Sequence, residues 1–207
     1  ALPIFRGERT LSISLEEREQ RQRDLSALTE RELLTTVRSS QEVLQEKLAR
    51  LEGDALEALC PHTRGLQPAW WFVDQRLSEL AFHGWDLHVS LGTEREIPPA
   101  VGRFLLPTLL TRNLPTWSKA TGEVHARWSI RVTNAPDAAW LIAVHNGTVS
   151  VTREPAEAPL TIRGDASGLI RWIYGRADLA ALQKQGRAAL IGNIDHLATW
   201  RQVFPAP

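Results

Sequence analysis

Residues 14–25, SLEEREQRQRDL, are polar at almost every position. Ser14 and Glu17 stand three apart as a capping box, so the stretch reads as a helix that is exposed or packs by a thin stripe. A second box, Thr29 with Glu32, opens TERELLTTVRSSQEVLQEKLARLEG. There Leu33, Val37, Val43 or Leu44, Leu48 and Leu51 recur on one helical face, and Gly53 stands where a stop belongs. CPHTRGLQP, beginning at Cys60, reads as a loop from its proline and glycine. From Ala69 to Gly92, Trp71, Leu77 or Ser78, Ala81 and Trp85 return at helical spacing, with no breaker before Gly84. PPAVGRFLLPTLLTRNL predicts another helix, with prolines in its first turn and a kink at Pro107. Helices joined by short or medium connections predict an antiparallel bundle.

After Pro115 the period changes. VHARWSIRVT, AAWLIAVH, TVSVTRE and LTIRG alternate or run apolar with β-branched residues, parted by turn-forming stretches. They predict strands, with Asn146-Gly147 as a hairpin signal. DASGLIRWIYGR, with Asp165 as N-cap, and DLAALQKQG, closed by Gly186, predict short helices. AALIGN predicts a last strand, and NIDHLATWRQVF a last helix capped by Asn193. The fold class expected is therefore α + (α+β): a helical bundle over residues 1–116, then a small α+β sheet domain over 117–207.

Composition narrows the partners. Hydrophobic residues make up 43% and charged residues 23% of the 207, ordinary for a globular protein. Lysine plus arginine equals aspartate plus glutamate at 24 each, which excludes a general attraction to nucleic acid or anionic membrane. Divided near residue 115, the chain carries about −3 before and +3 after, a weak asymmetry that would help two domains dock. Cys60 is the single cysteine, which rules out an internal disulfide and fits a reducing, cytoplasmic home. No apolar run reaches membrane-spanning length. The chain has no methionine, and a start lost upstream is expected. The preference for arginine over lysine hints at a GC-rich bacterial genome.

RLSELAFHGWDLHVSLG (Arg76 to Gly92) concentrates chemistry on one helix. Glu79 and His83 are four apart and lie one above the other, a spacing at which a carboxylate and an imidazole can share a divalent cation. Surface pairs of this kind are common by chance, and two ligands fall short of a zinc site. Leu77, Leu80, Phe82 and Trp85 around them point to a partly buried helix. Asp86, three beyond His83, is placed to orient that ring, whereas His88 points elsewhere. His62 and Cys60 read as an ordinary loop histidine and a core or loop thiol. Structural roles are favoured for His125, His145 and His196. Trp128, Trp140, Trp172 and Trp200 fit core positions, packing being favoured over an apolar ligand tunnel.

The motif helix resembles that of the mycothiol-dependent maleylpyruvate isomerase family, within the DinB-like metal-binding superfamily. The form R-x-x-E-x-x-x-H-x-W-D-L is matched by Arg76, Glu79, His83, Trp85, Asp86 and Leu87. APLTIRGDASGLIRWIYGR resembles the family's C-terminal, sterol-carrier-like domain. The resemblance implies a divalent metal, usually zinc, held in the bundle interior by Glu79, His83 and a histidine of an earlier helix. It implies a low-molecular-weight thiol, mycothiol or an equivalent, activated as thiolate for isomerisation of a maleyl-type diacid or for S-transfer. An arginine of the C-terminal domain, Arg163 or Arg176, would bind a substrate carboxylate. The thirteen residues ahead of Ser14 hold no histidine, so the first helix and third ligand are expected to be missing. A second copy could supply that helix, making a homodimer. The alternative expected function is a non-catalytic small-molecule or lipid binder of the same architecture.

Overall fold

The computed structural model describes residues 14–62, 65–93, 95–133, 135 and 137–206. The residues ahead of Ser14 lie outside them, as does any helix and histidine expected upstream. The chain divides into two compact units, Ala1–Arg76 and Leu77–Pro207.

The first unit is mainly helical. Helix α1 (Leu15–Ser26) and helix α2 (Glu30–Ala49) both open on the expected capping boxes, with Ser14 and Thr29 accepting from the backbone of Glu17 and Glu32. No residue of α2 is buried; on its apolar stripe Leu33, Val37 and Val43 are exposed, and Leu44 and Leu48 are half-buried. Helix α2 ends at Ala49, short of Gly53, and Gly53 instead precedes a single turn, α3 (Asp54–Glu57). The expected loop at Cys60 is a hairpin: β1 (Leu59–His62) pairs antiparallel with β2 (Gly65–Pro68). Proline is tolerated in edge strands this short, because no second neighbour needs its missing N–H. The Cys60 side chain is buried, and the His62 ring packs against Trp71 and Phe72.

Helix α4 (Ala69–Ser90) passes through Gly84 without a break. Helix α5 (Pro99–Thr108) starts with proline in its first turn, as expected. Pro107 lies inside it, and the irregularity comes just afterwards, as a π-helical segment (Leu109–Asn113) leading into α6 (Leu114–Trp117). A proline cannot donate to the preceding turn, and a widened turn is one way of re-pairing the backbone nearby.

All five strands expected after Pro115 form one sheet: β3 (Ala126–Val132), β4 (Ala139–His145), β5 (Thr148–Thr152), β6 (Leu160–Gly164) and β7 (Ala188–Gly192). Their order is β5-β4-β3-β6-β7, with β3 and β6 parallel and every other pair antiparallel. Asn146 and Gly147 turn β4 into β5 with φ of 50° and 75°, the double positive φ that a tight hairpin needs. Helices α7 (Ala166–Ile173), α8 (Leu179–Lys184) and α9 (His196–Val203) complete the unit. Asp165 caps α7 through Gly168. Asn193 does not cap α9; its side chain accepts from Asp195 in the preceding turn. The second part is thus α+β, and with the helical first part it bears out the expected fold class.

The core of this unit is dense in aromatics. Trp128, Trp140, Trp172 and Trp200 are all buried, with Trp172 stacked on Trp200 at 4.9 Å and Trp128 edge-on to it at 5.3 Å. Trp128 also donates its indole N–H to the carbonyl of His196 at 2.9 Å. These rings fill the interior, as the packing reading held. Among the described residues, no helix is long and apolar enough to cross a membrane.

Candidate functional site

Helix α4 presents Glu79, His83 and Asp86 along one side, because steps of three and four residues stack on a helix. The Glu79 carboxylate meets Nε2 of His83 at 2.9 Å, and Asp86 approaches Nδ1 at 3.4 Å. Asp86 is in turn gripped by Arg176, whose Nε and Nη2 donate to its two oxygens at 2.7 and 2.8 Å. Four charged or titratable groups therefore form one line, Glu79–His83–Asp86–Arg176. It ties the motif helix to the segment after α7. The sequence placed Asp86 as the orienting group of His83 but not as the partner of Arg176.

Arg176 is further fixed by aromatics. Its guanidinium lies 5.6 Å from the Phe82 ring centre and 5.8 Å from that of Tyr174, and these two rings contact each other at 3.7 Å. The Arg176 hydrogen bonds hold the Asp86 carboxyl below the usual carboxylate range, against the upward push of partial burial. Arg163 is elsewhere: it is exposed on β6, between Arg131 and Ala189 of the flanking strands. The structure thus brings Arg176 to the motif helix and does not bring Arg163 there.

The expected dry setting for Glu79 and His83 is not what the structure shows. Their side chains are 48% and 67% exposed, and the buried side of α4 carries Phe82 instead. Among the described residues, no group of three or more His, Cys, Asp or Glu side chains is arranged to hold a metal ion. Asp86 faces the Nδ1 edge of His83, whereas Glu79 faces Nε2, so the two carboxylates lie on opposite sides of the ring. Glu79 and His83 are two suitable N/O donors, and they fall short of the three that a catalytic zinc site takes from protein.

A second cluster, missed by the sequence reading, lies on the same unit. Glu96, between α4 and α5, accepts from Nη1 and Nη2 of Arg187 at 2.5 and 2.7 Å, from Ser167 Oγ at 2.6 Å and from Arg171 at 3.2 Å. Arg187 also donates twice to Asp165, at 2.9 Å each. Burial pushes the Glu96 and Asp165 carboxyls up, but the arginines outweigh it and hold both below the usual range. One signal was present in the sequence: Arg171 interrupts the apolar run of α7, and it is only 4% exposed.

Beside this cluster, a cleft of about 340 Å³ is lined by Leu77, Leu80, Ala81, Trp85, Ile97 and Val101, among others. His88, at its edge, bonds Thr93 Oγ1 at 3.1 Å. The guanidinium of Arg171 sits 5.5 Å from the Trp85 ring centre, so the cleft and the ionic cluster share a wall.

Comparison with known proteins places the chain by fold. No curated protein matches its sequence. The SCP-2 sterol transfer family matches residues 108–205. The solved structure of the mycothiol-dependent maleylpyruvate isomerase aligns with a TM-score of 0.57 and 18% identity, over 93% of this chain and 71% of that one. A stereoselective inverting sec-alkylsulfatase from Pseudomonas sp. aligns with a TM-score of 0.44 and 19% identity, over 51% of this chain, which spans only 17% of that enzyme. Sterol carrier protein 2 aligns with a TM-score of 0.33 and 21% identity, over 44% of this chain and 81% of that one. The chain therefore shares with the maleylpyruvate isomerase a helical N-terminal part followed by a sheet domain, and its C-terminal half is similar to the SCP-2 sterol transfer family.

Proposed function

We propose that the protein is a thiol-dependent isomerase or S-transferase, similar to maleylpyruvate isomerase, acting on a small electrophilic acid. The observation that supports it is the line Glu79–His83–Asp86–Arg176, carried on a chain of that isomerase's fold. In this reading the functional parts are residues 1–116 and 117–207, and the protein works in the bacterial cytoplasm with mycothiol or an equivalent thiol. Glu79 and His83 would be its metal donors, and a third ligand would come from outside the described residues or from a second copy in a homodimer. A bound zinc would supply one thing, a lowered pKa for the thiol.

The remaining chemistry falls to the organic partners and to this chain. The thiolate adds to the activated double bond of a maleyl-type diacid, and the electron pair moves onto the conjugated carbonyl. Rotation about the new single bond and expulsion of the thiolate give the trans isomer, with no net change in atoms or electrons. Arg176 or Arg163 binds the substrate carboxylate; for Arg176, the incoming carboxylate exchanges with Asp86. The test is turnover of maleylpyruvate by the purified full chain, with and without added thiol, alongside elemental analysis. The reading expects thiol-dependent isomerisation and about one zinc per chain, lost in Glu79→Ala and His83→Ala. Turnover absent at every thiol concentration, with no bound metal, overturns it.

The apolar cleft and the SCP-2 match favour a second reading, a non-catalytic small-molecule or lipid binder. A volume of about 340 Å³ lies within the range of ligand pockets. Saturable binding of a fluorescent fatty acid, without any thiol-dependent turnover, would select this reading; no binding would reject it.

A further inference from the structure

Glu96 is held in an unusual way for a carboxylate on a connecting segment. It accepts four hydrogen bonds from three side chains, Ser167, Arg171 and Arg187, while remaining 51% exposed itself. Arg171, by contrast, is 4% exposed and reaches it from inside α7. Ser167 is fixed in turn by the backbone N–H of Ile97 at 3.1 Å. The three donors thus form a cradle built on α7 and the residue before β7, and the carboxylate they hold belongs to a non-helical connection.

Glu96 also borders three cavities. It lines the apolar cleft, a polar cavity of about 390 Å³ shared with Arg171, Arg176 and Arg187, and a third of about 360 Å³ beside Ser167. Glu96 brings one negative charge to the guanidiniums of Arg171 and Arg187, the second of which also holds Asp165. A carboxylate entering from the cleft could replace it charge for charge. Trp85 connects the two places, since it lines the cleft and lies against Arg171.

We propose that Ser167, Arg171 and Arg187 form a binding site for the carboxylate of an amphipathic acid, and that Glu96 is a displaceable plug occupying it. The apolar body of the ligand lies in the cleft beside Leu77, Leu80 and Trp85; for that half, the proposal rests on the binding reading given above. The ligand class is a monocarboxylate with a medium-length apolar chain. Two guanidiniums and a hydroxyl offer it the same charge-assisted hydrogen bonds that they give Glu96.

Calorimetric titration of the full chain with octanoate and with 1-octanol tests this, because the two probes share an apolar body and differ in the carboxylate. In Glu96→Gln the plug loses its charge, so octanoate binding tightens about tenfold relative to octanol binding by the same variant. Arg187→Gln is expected to remove the preference for octanoate over octanol. Unchanged or weaker octanoate binding in a folded Glu96→Gln variant overturns the proposal. If that variant does not fold, the wild type decides: octanoate binding no better than octanol refutes the cradle. Equal binding of both probes leaves the cleft standing as an apolar binder without the cradle. Binding of neither removes the proposal and the binding reading together.

Discussion

Both oxygens of Asp86 accept from a single guanidinium, that of Arg176, at 2.7 and 2.8 Å, although ninety positions separate the two residues. The fork joins α4 to the end of the α7 segment, and it holds the same carboxylate that faces the His83 ring. Position, orientation and charge at the candidate site therefore depend on one ion pair.

That pair makes stability depend on acidity in a defined direction. Asp86 has its folded-state pKa lowered, chiefly by the Arg176 hydrogen bonds, from an ordinary 3.8. A lowered carboxylate pKa stabilises the folded state at neutral pH, and this contribution is lost as pH falls through the folded value. Asp86→Asn should cost about 1 kcal/mol at pH 7, solvent screening keeping it modest. Urea unfolding at pH 7 and at about pH 3 checks it: the gap between variant and wild type should shrink in acid.

The thiol of Cys60 should be slow to react. Its side chain is buried in β1, and burial pushes its pKa up from 9.0. The thiolate is the reacting form, so both effects act against modification. A coloured disulfide reagent should titrate the thiol slowly in the native protein and rapidly in denaturant. Fast native labelling would show that the β1–β2 hairpin opens readily.

Gly192 should not tolerate a side chain. Its φ is +107°, and a Cβ there would stand 2.2 Å from the carbonyl oxygen of Pro159. That oxygen already accepts from the N–H of Asn193 at 2.8 Å, so it cannot withdraw without breaking the end of the β6–β7 pairing. Gly192→Ala should cost at least about 2 kcal/mol in a denaturant titration.

Trp200→Ala should be among the most damaging core changes. Trp200 is wholly buried and touches Trp128, Trp172 and Phe204 through its ring. The expected loss is about 3–5 kcal/mol, with loss of the near-ultraviolet circular dichroism of the stacked indoles. Trp200→Phe should lose less, since it keeps part of the buried area.

Where an element is specified by neighbours in sequence, the chain announces it. The boxes at Ser14 and Thr29, the Asn146-Gly147 turn and the Asp165 cap each act over a few residues, and all are in place. The β1–β2 hairpin was hidden because Pro61 and Gly65 carry the composition of a loop even when the backbone pairs. At the site, spacing alone set Glu79 against His83. Their exposure could not be read, because apolar residues occur on both sides of α4: Phe82 is buried, whereas Leu80 and Leu87 are exposed. The Glu96 cradle depends on partners more than seventy positions away, and no local pattern encodes such a meeting.

The parallel pairing of β3 with β6 fixes an order of events during synthesis. The chain order supplies β4 and β5 to β3 first, whereas the other edge of β3 has no partner until β6 emerges. Until then Trp128 and Ile130 belong to a strand with one bare rim, the type of surface on which nascent chains stick to one another. A protein halted between Thr152 and Leu160 would consequently be a hazard rather than a half-finished domain, and chaperone demand should peak over that short window.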